Sequence, residues 1–419
     1  MVDKNLFLHD LAVVAIFKDE GHYIKEWLDY HLPAGVDHFY LYNNESSDDY
    51  KKILAPYVEK NLVTLIDWPG KVMQHLAYND AVEKFRFTCR RIAFIDLDEF
   101  IFPKTNQKIS EVVDKILSPV ANAAALAVNW QIFGSNGHEK ADYSRGVLER
   151  FTRRASKDII FLDDDGNRSG TAHVKIIANP RLVRNIQSPH HAVYFDGKSA
   201  INSNGEIVPE RFNFPPLYEK IVVNHYCIKS REEFLFKQTK RRADRDGDID
   251  MNYFIVNDCN DEFDDGILSY RAAREKNFSF ESDEQRISRV INSLVRTLTQ
   301  NPPTESKLET FLTCRAVAEK FQIKIGDTLA EEIALAWIHQ SLSRDDDLTF
   351  ADLELSIDVL PEILSRPFPL TKKILQIFLS RGLPAMLISL KNSQRFTDYK
   401  NLSTLRRFLK FINETEMIR

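Results

Sequence analysis

The sequence predicts an α/β domain built on a parallel, Rossmann-like sheet, followed by an all-helical C-terminal domain. The chain of 419 residues is longer than one compact core usually holds, which favours two domains. Strand-like and helix-like segments alternate over residues 11–96, and apolar residues recur at helical spacing from about residue 280 onward. We therefore expect an α/β domain at residues 1–275 and a helical domain at 276–419.

The alternation near the N-terminus predicts four parallel strands. "LAVVAIF" (11–17) is a continuous apolar run, typical of a strand that is buried on both faces. Further strands are predicted at "HFYLY" (38–42), "NLVTLIDW" (61–68) and "IAFID" (92–96), with helical segments between them. Because parallel strands are joined by right-handed crossovers, this order indicates a Rossmann-like sheet.

The remainder of the chain divides into two kinds of pattern. "AALAVNW", "HVKIIANP", "HAVYF" and "KIVVNHY" are short strand candidates between Gly-, Asn- and Asp-rich loops, which indicates an extension of the sheet. Farther on, Ser282 and Gln285 are spaced as a capping box that opens the helical region. We expect this region to hold a large acceptor or to form a homo-oligomer.

Composition excludes several classes of protein. A formal net charge of −5 argues against general binding to nucleic acid or to an anionic membrane. The four cysteines show no CxxC pairing and are typical of reduced thiols. No signal peptide and no run of about 20 apolar residues is visible, so we expect a cytoplasmic protein without a transmembrane segment.

The segment "RRIAFIDLDEFIFPK" (90–104) places two carboxylates, Asp96 and Asp98, inside an apolar run. Neighbouring like charges are costly unless a cation neutralises them. On a strand, residues i and i+2 point to the same side, so the pair suits Mg²⁺ or Mn²⁺ held jointly with a phosphate-bearing substrate. The competing interpretation is a turn with two solvated aspartates.

His225, in "VVNHYCIKS", is the best candidate for a third metal ligand, because it ends an apolar run. Lys229 follows four residues later and could hold a diphosphate oxygen. A buried histidine with a satisfied ring is the structural alternative.

The loops after the first two predicted strands carry candidate nucleotide-binding residues. Lys18 and Glu20 follow the first strand, and Asn43 and Asp48 follow the second. Both loops would lie at the carboxyl edge of the sheet, where ligands of open α/β sheets bind. Helix and turn capping is the alternative role, and for Asp48 it is equally well supported.

Several of these segments together resemble the opening of the glycosyltransferase family 2 / family 92-like proteins. The segments are "VAIFKDEGHYIKEWLDYHLPAGVDHFYLYNNESSDD", "AFIDLDEFIFP", "FGSNGH" and "NHYCIKSREEFLFK", within about residues 10–245. The group usually has Asn where this chain has Asp19. The resemblance implies the GT-A fold and transfer of a sugar from a nucleotide-diphosphate sugar. It also implies that Asp98 is a direct metal ligand, and that Asp96 contacts the ribose or reaches the metal through water.

The segment "NWQIFGSNGHEKADYSRGVLERF" (129–151) is the predicted acceptor side. Trp130 offers a flat face to a sugar ring, and His138 is a polar partner there that is also a predicted catalytic residue. An inverting transferase also needs a carboxylate that deprotonates the acceptor hydroxyl. Glu149 is preferred for this role because "LERF" resembles the group, and Glu139 and Asp142 are the alternatives.

The sequence thus predicts a metal-dependent, inverting glycosyltransferase that uses a UDP-sugar and modifies a glycan, glycolipid or protein. Because relatives in eukaryotes usually carry a membrane anchor, a bacterial enzyme of polysaccharide biosynthesis is expected. One alternative is a phosphohydrolase of the haloacid-dehalogenase type, which has DxDxT where this chain has Phe100 two residues after Asp98. The other is a non-catalytic binding platform with a transferase-like core.

Overall fold

The computed structural model describes residues 4–86, 88–157, 159–162, 168–195, 197–240, 249–276, 278–282, 285–286, 288–290 and 293. Apart from the first two residues, the chain divides into compact units at Asp3–Ser288 and Arg289–Arg419. The fold given below is that of the first unit. The predicted helical domain lies almost entirely outside the described residues, and the boundary after residue 275 stays a prediction.

The elements of the first unit follow one another with few long gaps. The strands are β1 (His9–Phe17), β2 (His38–Asn43), β3 (Val63–Asp67), β4 (Cys89–Phe94), β5 (Glu99–Pro103), β6 (Ala123–Ile132), β7 (Arg153–Arg154), β8 (Ile160–Leu162), β9 (Arg168–Gly170), β10 (Val174–Ala178), β11 (Val183–Ser188), β12 (His191–Tyr194), β13 (Ser199–Ile201), β14 (Ile207–Val208), β15 (Ile221–His225) and β16 (Glu262–Phe263). The helices are α1 (Gly21–Ala34), α2 (Tyr50–Glu59), α3 (Gln74–Phe85), α4 (Ile109–Leu117), α5 (Val147–Arg150), α6 (Arg231–Gln238), α7 (Met251–Asn257) and α8 (Gly266–Lys276).

The N-terminal strands form the predicted parallel sheet. Its order is β4-β1-β2-β3, so that Val14 of β1 lies between Tyr40 of β2 and Phe94 of β4. The prediction of an α/β domain with a Rossmann-like parallel sheet is therefore confirmed for this half.

Three of the four predicted middle strands extend the sheet in a mixed manner. The fourth, "HAVYF", was wrongly expected to extend it, because it forms β12, which pairs with β11 in a separate two-stranded sheet. β10 runs antiparallel to both β4 and β6, and β13 runs parallel to β6 on the far side. β15 is parallel to β6 and antiparallel to β5, which brings His225 opposite Glu99. This pairing places the end of β15 beside the segment that contains Asp96 and Asp98.

Both faces of β1 are buried, as its continuous apolar run predicts. Leu11, Val13, Ala15 and Phe17 belong to one apolar cluster, which also includes residues of α1, α2 and α4. Ala12, Val14 and Ile16 belong to a second cluster, on which α3 packs. Alternation along one strand thus supplies two cores.

Helix α1 connects the first core to the start of β5. The Trp27 indole donates to the Glu99 carbonyl at 2.8 Å, and His31 Nε2 accepts the Ile101 amide at 3.2 Å. The helix ends at Gly35, whose φ of 108° is a left-handed conformation that glycine adopts without strain. The helix therefore fixes the backbone immediately after Asp98.

One prediction near the end of the first unit is also confirmed. The Ser282 amide donates to the Gln285 side chain at 2.8 Å, and the Gln285 amide donates to Ser282 Oγ at 3.3 Å. This is the reciprocal pair that defines a capping box.

Candidate functional site

Asp96 and Asp98 lie in a turn between β4 and β5, and not on the strand itself. β4 ends at Phe94, and Glu99 opens β5. The turn is fixed by the Glu99 amide, which donates to the Asp96 carbonyl, and by the Tyr226 amide, which donates to the Asp98 carbonyl. The strand geometry expected from the sequence is therefore wrong at this point, and the two carboxylates have separate partners.

The Asp96 carboxylate accepts hydrogen bonds on both oxygens. Gln74 and Tyr78 of α3 donate to Oδ1 at 2.6 and 3.2 Å, and Lys175 of β10 donates to Oδ2 at 2.7 Å. The Asp96 amide donates to Glu99 Oε2 at 2.9 Å. Asp96 is thus fixed by groups from three elements.

Lys175 and Glu99 form the buried part of this arrangement, with the Lys175 ammonium 3.4 Å from the Glu99 carboxylate. Their side chains are 1% and 0% exposed. Burial raises the pKa of Glu99 well above its usual value, although Lys175 acts against this. Burial alone would lower the pKa of Lys175, but Asp96 and Glu99 outweigh it and raise that pKa. Lys175 is therefore a permanent countercharge for Asp96.

Asp98 has a different set of partners, from the last residue of β15 and from the segment that follows it. Lys237 of α6 donates to Asp98 Oδ2 at 2.7 Å and to the Cys227 carbonyl at 2.9 Å. His225 Nε2 lies 3.5 Å from Asp98 Oδ1. Burial alone would raise the pKa of Asp98, but Lys237, His225 and Lys229 hold it well below its usual value. Asp98 is therefore an anion.

His225 is buried, and burial lowers its pKa in spite of Asp98. Its Nδ1 atom has no hydrogen-bond partner among the described residues. The ring lies against Trp130, with centroids 4.2 Å apart, and His173 and His190 contact the same indole at 4.8 and 4.9 Å. The indole expected to carry a sugar ring is thus in contact with three histidines.

Lys229 lies in the same neighbourhood as Asp98. Its backbone has a φ of 59°, and its buried ammonium lies 4.3 Å from the centre of the Tyr23 ring. Burial lowers the pKa of Lys229, while Asp98 and Glu20 act to raise it. The structure therefore brings together Asp98, His225 and Lys229, as the sequence predicted.

A buried ion pair fixes the start of α6. Arg150 donates to both oxygens of Glu233, at 2.8 and 2.9 Å, and Tyr23 donates to the same carboxylate at 2.9 Å. Glu233 also completes a capping box with Ser230. Because α6 begins at Arg231, this pair positions the segment that carries His225, Lys229 and Lys237.

The predicted nucleotide-binding residues mainly connect the first two loops to each other. Asp48 accepts the amide of Gly21, the first residue of α1, at 2.6 Å. The Asn43 amide group donates to Tyr50 at 2.8 Å and to Asp67 at 2.9 Å. Asp48 and Asn43 thus have structural partners in this part of the chain.

Lys18 and Glu20, the predicted nucleotide-binding residues of the first loop, have partners as well. Lys18 donates to the Glu45 carbonyl at 2.7 Å, and Glu20 accepts Lys240 at 2.9 Å. Lys240 also donates to the Asp19 carbonyl at 2.6 Å, which connects the first loop to the residues after α6.

The predicted acceptor residues lie on the surface around α5. His138 Nε2 lies 3.1 Å from the Arg150 carbonyl. Glu139, Asp142 and Glu149 are exposed, and Asp142 accepts the Ser144 amide. Among the described residues, none of these four side chains shares a hydrogen bond or ion pair with Asp96, Asp98 or His225. Their catalytic roles stay predictions.

Sequence reasoning missed the two lysines that neutralise the aspartates. Lys175 is the one charged residue in the strand "VKIIA", and an isolated charge in an apolar strand is a signal that could have identified it. Lys237 lies in the last turn of α6 within a segment already singled out by resemblance. Nothing in the sequence pairs it with Asp98, because 139 positions separate the two.

The described residues contain neither a cluster of three metal-ligating side chains nor a membrane-spanning helix. No group of three or more His, Cys, Asp or Glu side chains there is arranged to hold a metal ion. Within the same residues, no helix is long and apolar enough to cross a membrane.

The chain is similar in sequence to plant glycosyltransferases. Residues 13–215 match the model of glycosyltransferase family 92. A glycosyltransferase family 92 protein of Ricinus communis is 24% identical over 238 residues, which are 56% of this chain and 38% of the relative. One of Oryza sativa subsp. japonica is 26% identical over 240 residues, which are 56% of this chain and 36% of the relative.

The chain thus spans less than two fifths of the length of these relatives, and their plant origin gives no support to the expectation of a bacterial source. A galactan beta-1,4-galactosyltransferase of Arabidopsis thaliana is 28% identical over 100 residues, 22% of this chain and 19% of the relative.

Among solved structures, the crystal structure of S. aureus TarS 1-349 in complex with UDP aligns with 88% of this chain and 86% of that chain. Its TM-score is 0.28 at 12% identity, which is too low to establish a common fold. The sequence matches are the stronger finding: residues 13–215 are similar to glycosyltransferase family 92.

Proposed function

We propose that this chain is a metal-dependent glycosyltransferase that moves a sugar from a nucleotide-diphosphate sugar, a UDP-sugar, to a glycan, glycolipid or protein acceptor with inversion. The observation that carries the proposal is the convergence of Asp98, His225, Lys229 and Lys237 at one end of the sheet. Asp98 itself lies within residues 13–215, which match the model of glycosyltransferase family 92.

The chemical difficulty of such a transfer is the negative charge that develops on the leaving diphosphate. Preorganised cations that face this charge lower the barrier, because they need no reorganisation during the reaction. Lys229 is suited to this role, since it is buried and held over Tyr23 without a hydrogen bond to any described residue. Asp96, fixed on both oxygens, would accept a ribose hydroxyl of the donor.

The residues present fit a divalent cation, Mn²⁺ or Mg²⁺, as a two-ligand site. Asp98 Oδ1 and His225 Nε2 lie 3.5 Å apart, so that one ion could contact both atoms. Phosphate oxygens of the donor would complete the ligand set, as is usual for Mg²⁺. When bound, the ion supplies Lewis-acid stabilisation of the diphosphate. Asp96, which accepts three hydrogen bonds, is assigned to the donor and not to the ion.

Deprotonation of the acceptor hydroxyl is assigned to Glu149, with Glu139 and Asp142 as the alternatives. Glu149 lies on α5, next to Arg150, which connects α5 to α6. The Glu149 side chain is exposed and therefore accessible to an acceptor from solvent. Replacement of each carboxylate in turn, with donor hydrolysis and transfer measured separately, identifies the base as the residue whose loss abolishes transfer alone.

A phosphohydrolase that uses Asp96 as its nucleophile is the second function considered. Hydrogen bonds from Gln74, Tyr78 and Lys175 reach both Asp96 oxygens and stabilise the charge of the carboxylate, which makes it a weaker nucleophile. This arrangement favours the transferase over the phosphohydrolase.

The proposal is tested by the binding of UDP to the full chain. UDP should raise the melting temperature more with Mn²⁺ than with EDTA, because Asp98 and His225 would hold an ion that neutralises charge on the diphosphate. Asp98→Asn should remove the difference between the two conditions. Equal shifts with Mn²⁺ and EDTA in the unmodified protein would show that no metal takes part, and a trapped phosphoaspartate would favour the phosphohydrolase.

A further inference from the structure

Lys237 forms an ion pair with Asp98, the carboxylate that the proposed metal ion would bind. Its ammonium lies 2.7 Å from Asp98 Oδ2, while His225 Nε2 lies 3.5 Å from Oδ1 of the same carboxylate. A divalent ion bound by Asp98 and His225 would therefore lie within a few ångströms of a second cation. At such distances like charges repel strongly in a partly buried site, so that the ion and Lys237 compete for Asp98.

Lys237 can leave Asp98, whereas Lys175 cannot leave Asp96. The Lys237 side chain is 27% exposed and, within the part of the chain that the structure describes, has one other hydrogen bond, to the Cys227 carbonyl. The Lys175 side chain is 1% exposed and also contacts the buried Glu99. Lys237 extends from the last turn of α6, where its four-carbon stem allows the ammonium to move without a change in the backbone.

We propose that Lys237 neutralises Asp98 in the donor-free site and moves onto the diphosphate of the donor when a divalent ion takes its place. The inference rests on the proposed function and assigns to Lys237 a role that couples the binding of the ion and of the nucleotide. Once the ion is on Asp98, Lys229 and Lys237 leave an excess of positive charge, which a diphosphate neutralises. The ion alone therefore binds weakly, and UDP strengthens its binding.

The test is the affinity of the full chain for Mn²⁺ alone, measured by the loss of the free-ion signal in electron paramagnetic resonance. Lys237→Met should bind Mn²⁺ about 10-fold more tightly than the unmodified protein in the absence of nucleotide, because the competing cation is gone. The factor by which UDP improves Mn²⁺ binding should shrink, and by linkage the effect of Mn²⁺ on UDP affinity should shrink equally.

Two further variants separate competition from other effects. Lys237→Gln, neutral and polar, should behave as Lys237→Met does, which covers the case in which the methionine variant fails to fold. Lys140→Met removes an exposed charge that pairs with Glu232, so it should leave Mn²⁺ affinity unchanged. A similar gain in this control would mean that net charge, and not competition at Asp98, controls the affinity, and would overturn the inference.

The outcomes also separate the inference from the function on which it rests. If the unmodified protein binds Mn²⁺ in the presence of UDP and both neutral variants bind Mn²⁺ alone no more tightly than it does, the role of Lys237 is wrong and the metal-dependent function stands. If the unmodified protein binds no Mn²⁺ even with UDP, the metal dependence fails, and the inference fails with it.

Discussion

The surroundings of Asp96 and of Asp98 differ, although one residue separates the two aspartates. Asp96 accepts hydrogen bonds from Gln74, Tyr78 and a lysine that is 1% exposed. Asp98 faces a histidine with an unpartnered ring nitrogen and a lysine that is 27% exposed. The first carboxylate is fixed, and the second is held by groups that can exchange.

This difference explains how two carboxylates can lie close together between the buried strands β4 and β5. Each aspartate has its own lysine at 2.7 Å, so neither charge depends on a metal ion for neutralisation in the folded protein. A fixed countercharge suits a residue that orients a ligand, and an exchangeable one suits a residue that binds an ion only when the substrate is present. The predictions below test this comparison, in order of expected effect.

The largest expected effect is on the rate of sugar transfer. Asp98→Asn should lower kcat by about 10²–10³, by analogy with the loss of one preorganised electrostatic partner. Asp96→Asn should mainly raise KM for the donor, because Asp96 is assigned to the ribose. UDP release from several UDP-sugars measures both constants. If Asp96→Asn lowers kcat as strongly as Asp98→Asn does, the division of roles between the two carboxylates is wrong.

The next effect concerns stability and compares the two lysines. Lys175→Met should lower the free energy of unfolding by about 3 kcal/mol, because it leaves Glu99 and Asp96 without their buried cation. Lys237→Met should cost about 1 kcal/mol or less, because the pair it breaks is partly exposed and its carboxylate keeps His225 nearby. Urea unfolding of both variants measures the difference. Equal losses would contradict the distinction between a fixed and an exchangeable countercharge.

The sequence predicted the parallel half of the fold because its signals are local. The apolar run of β1 is visible within seven residues, and strand-like and helix-like segments alternate in order along residues 11–96. Right-handed crossovers then restrict the possible topologies of the sheet. The middle strands were predicted as separate segments, but their order in the sheet was not predicted. The antiparallel insertion of β10 between β4 and β6 depends on contacts between residues far apart in the chain.

The sequence predicted the site residues that lie in recognisable motifs, and it missed the partners that only the fold brings to them. Asp98, His225 and Lys229 could be grouped because each stands at the end of an apolar run or in a motif that resembles the family. The pairing of Asp96 with Lys175 could not, because it depends on the position of β10. Asn43 and Asp48 show the converse, since the same residue types that bind ribose also fix loops.

The smallest expected effect concerns the position of α6, the helix that carries Lys237. The Arg150–Glu233 pair fixes the start of α6, and both side chains are at most 2% exposed. Burial alone would raise the pKa of Glu233, but Arg150 and Ser230 outweigh it and lower the pKa from 4.5 to about 2. A lowered pKa in the folded state adds stability above the unfolded value, and this stability is lost as pH falls from about 4.5 towards 2.

Glu233→Gln removes this titration and should be less stable than the unmodified protein at pH 6. The difference in unfolding free energy should narrow by about 1 kcal/mol between pH 6 and pH 4, because part of the Glu233 contribution is already lost in the unmodified protein. Urea unfolding at both pH values measures the change. Glu232→Gln is the matched control, because Glu232 is next to Glu233 in the chain but its side chain is 50% exposed. For this variant, the difference in unfolding free energy should narrow less between pH 6 and pH 4. A constant difference for Glu233→Gln would show that the pair does not carry the ionic contribution assigned to it, so that α6 is positioned by the capping box and its apolar contacts.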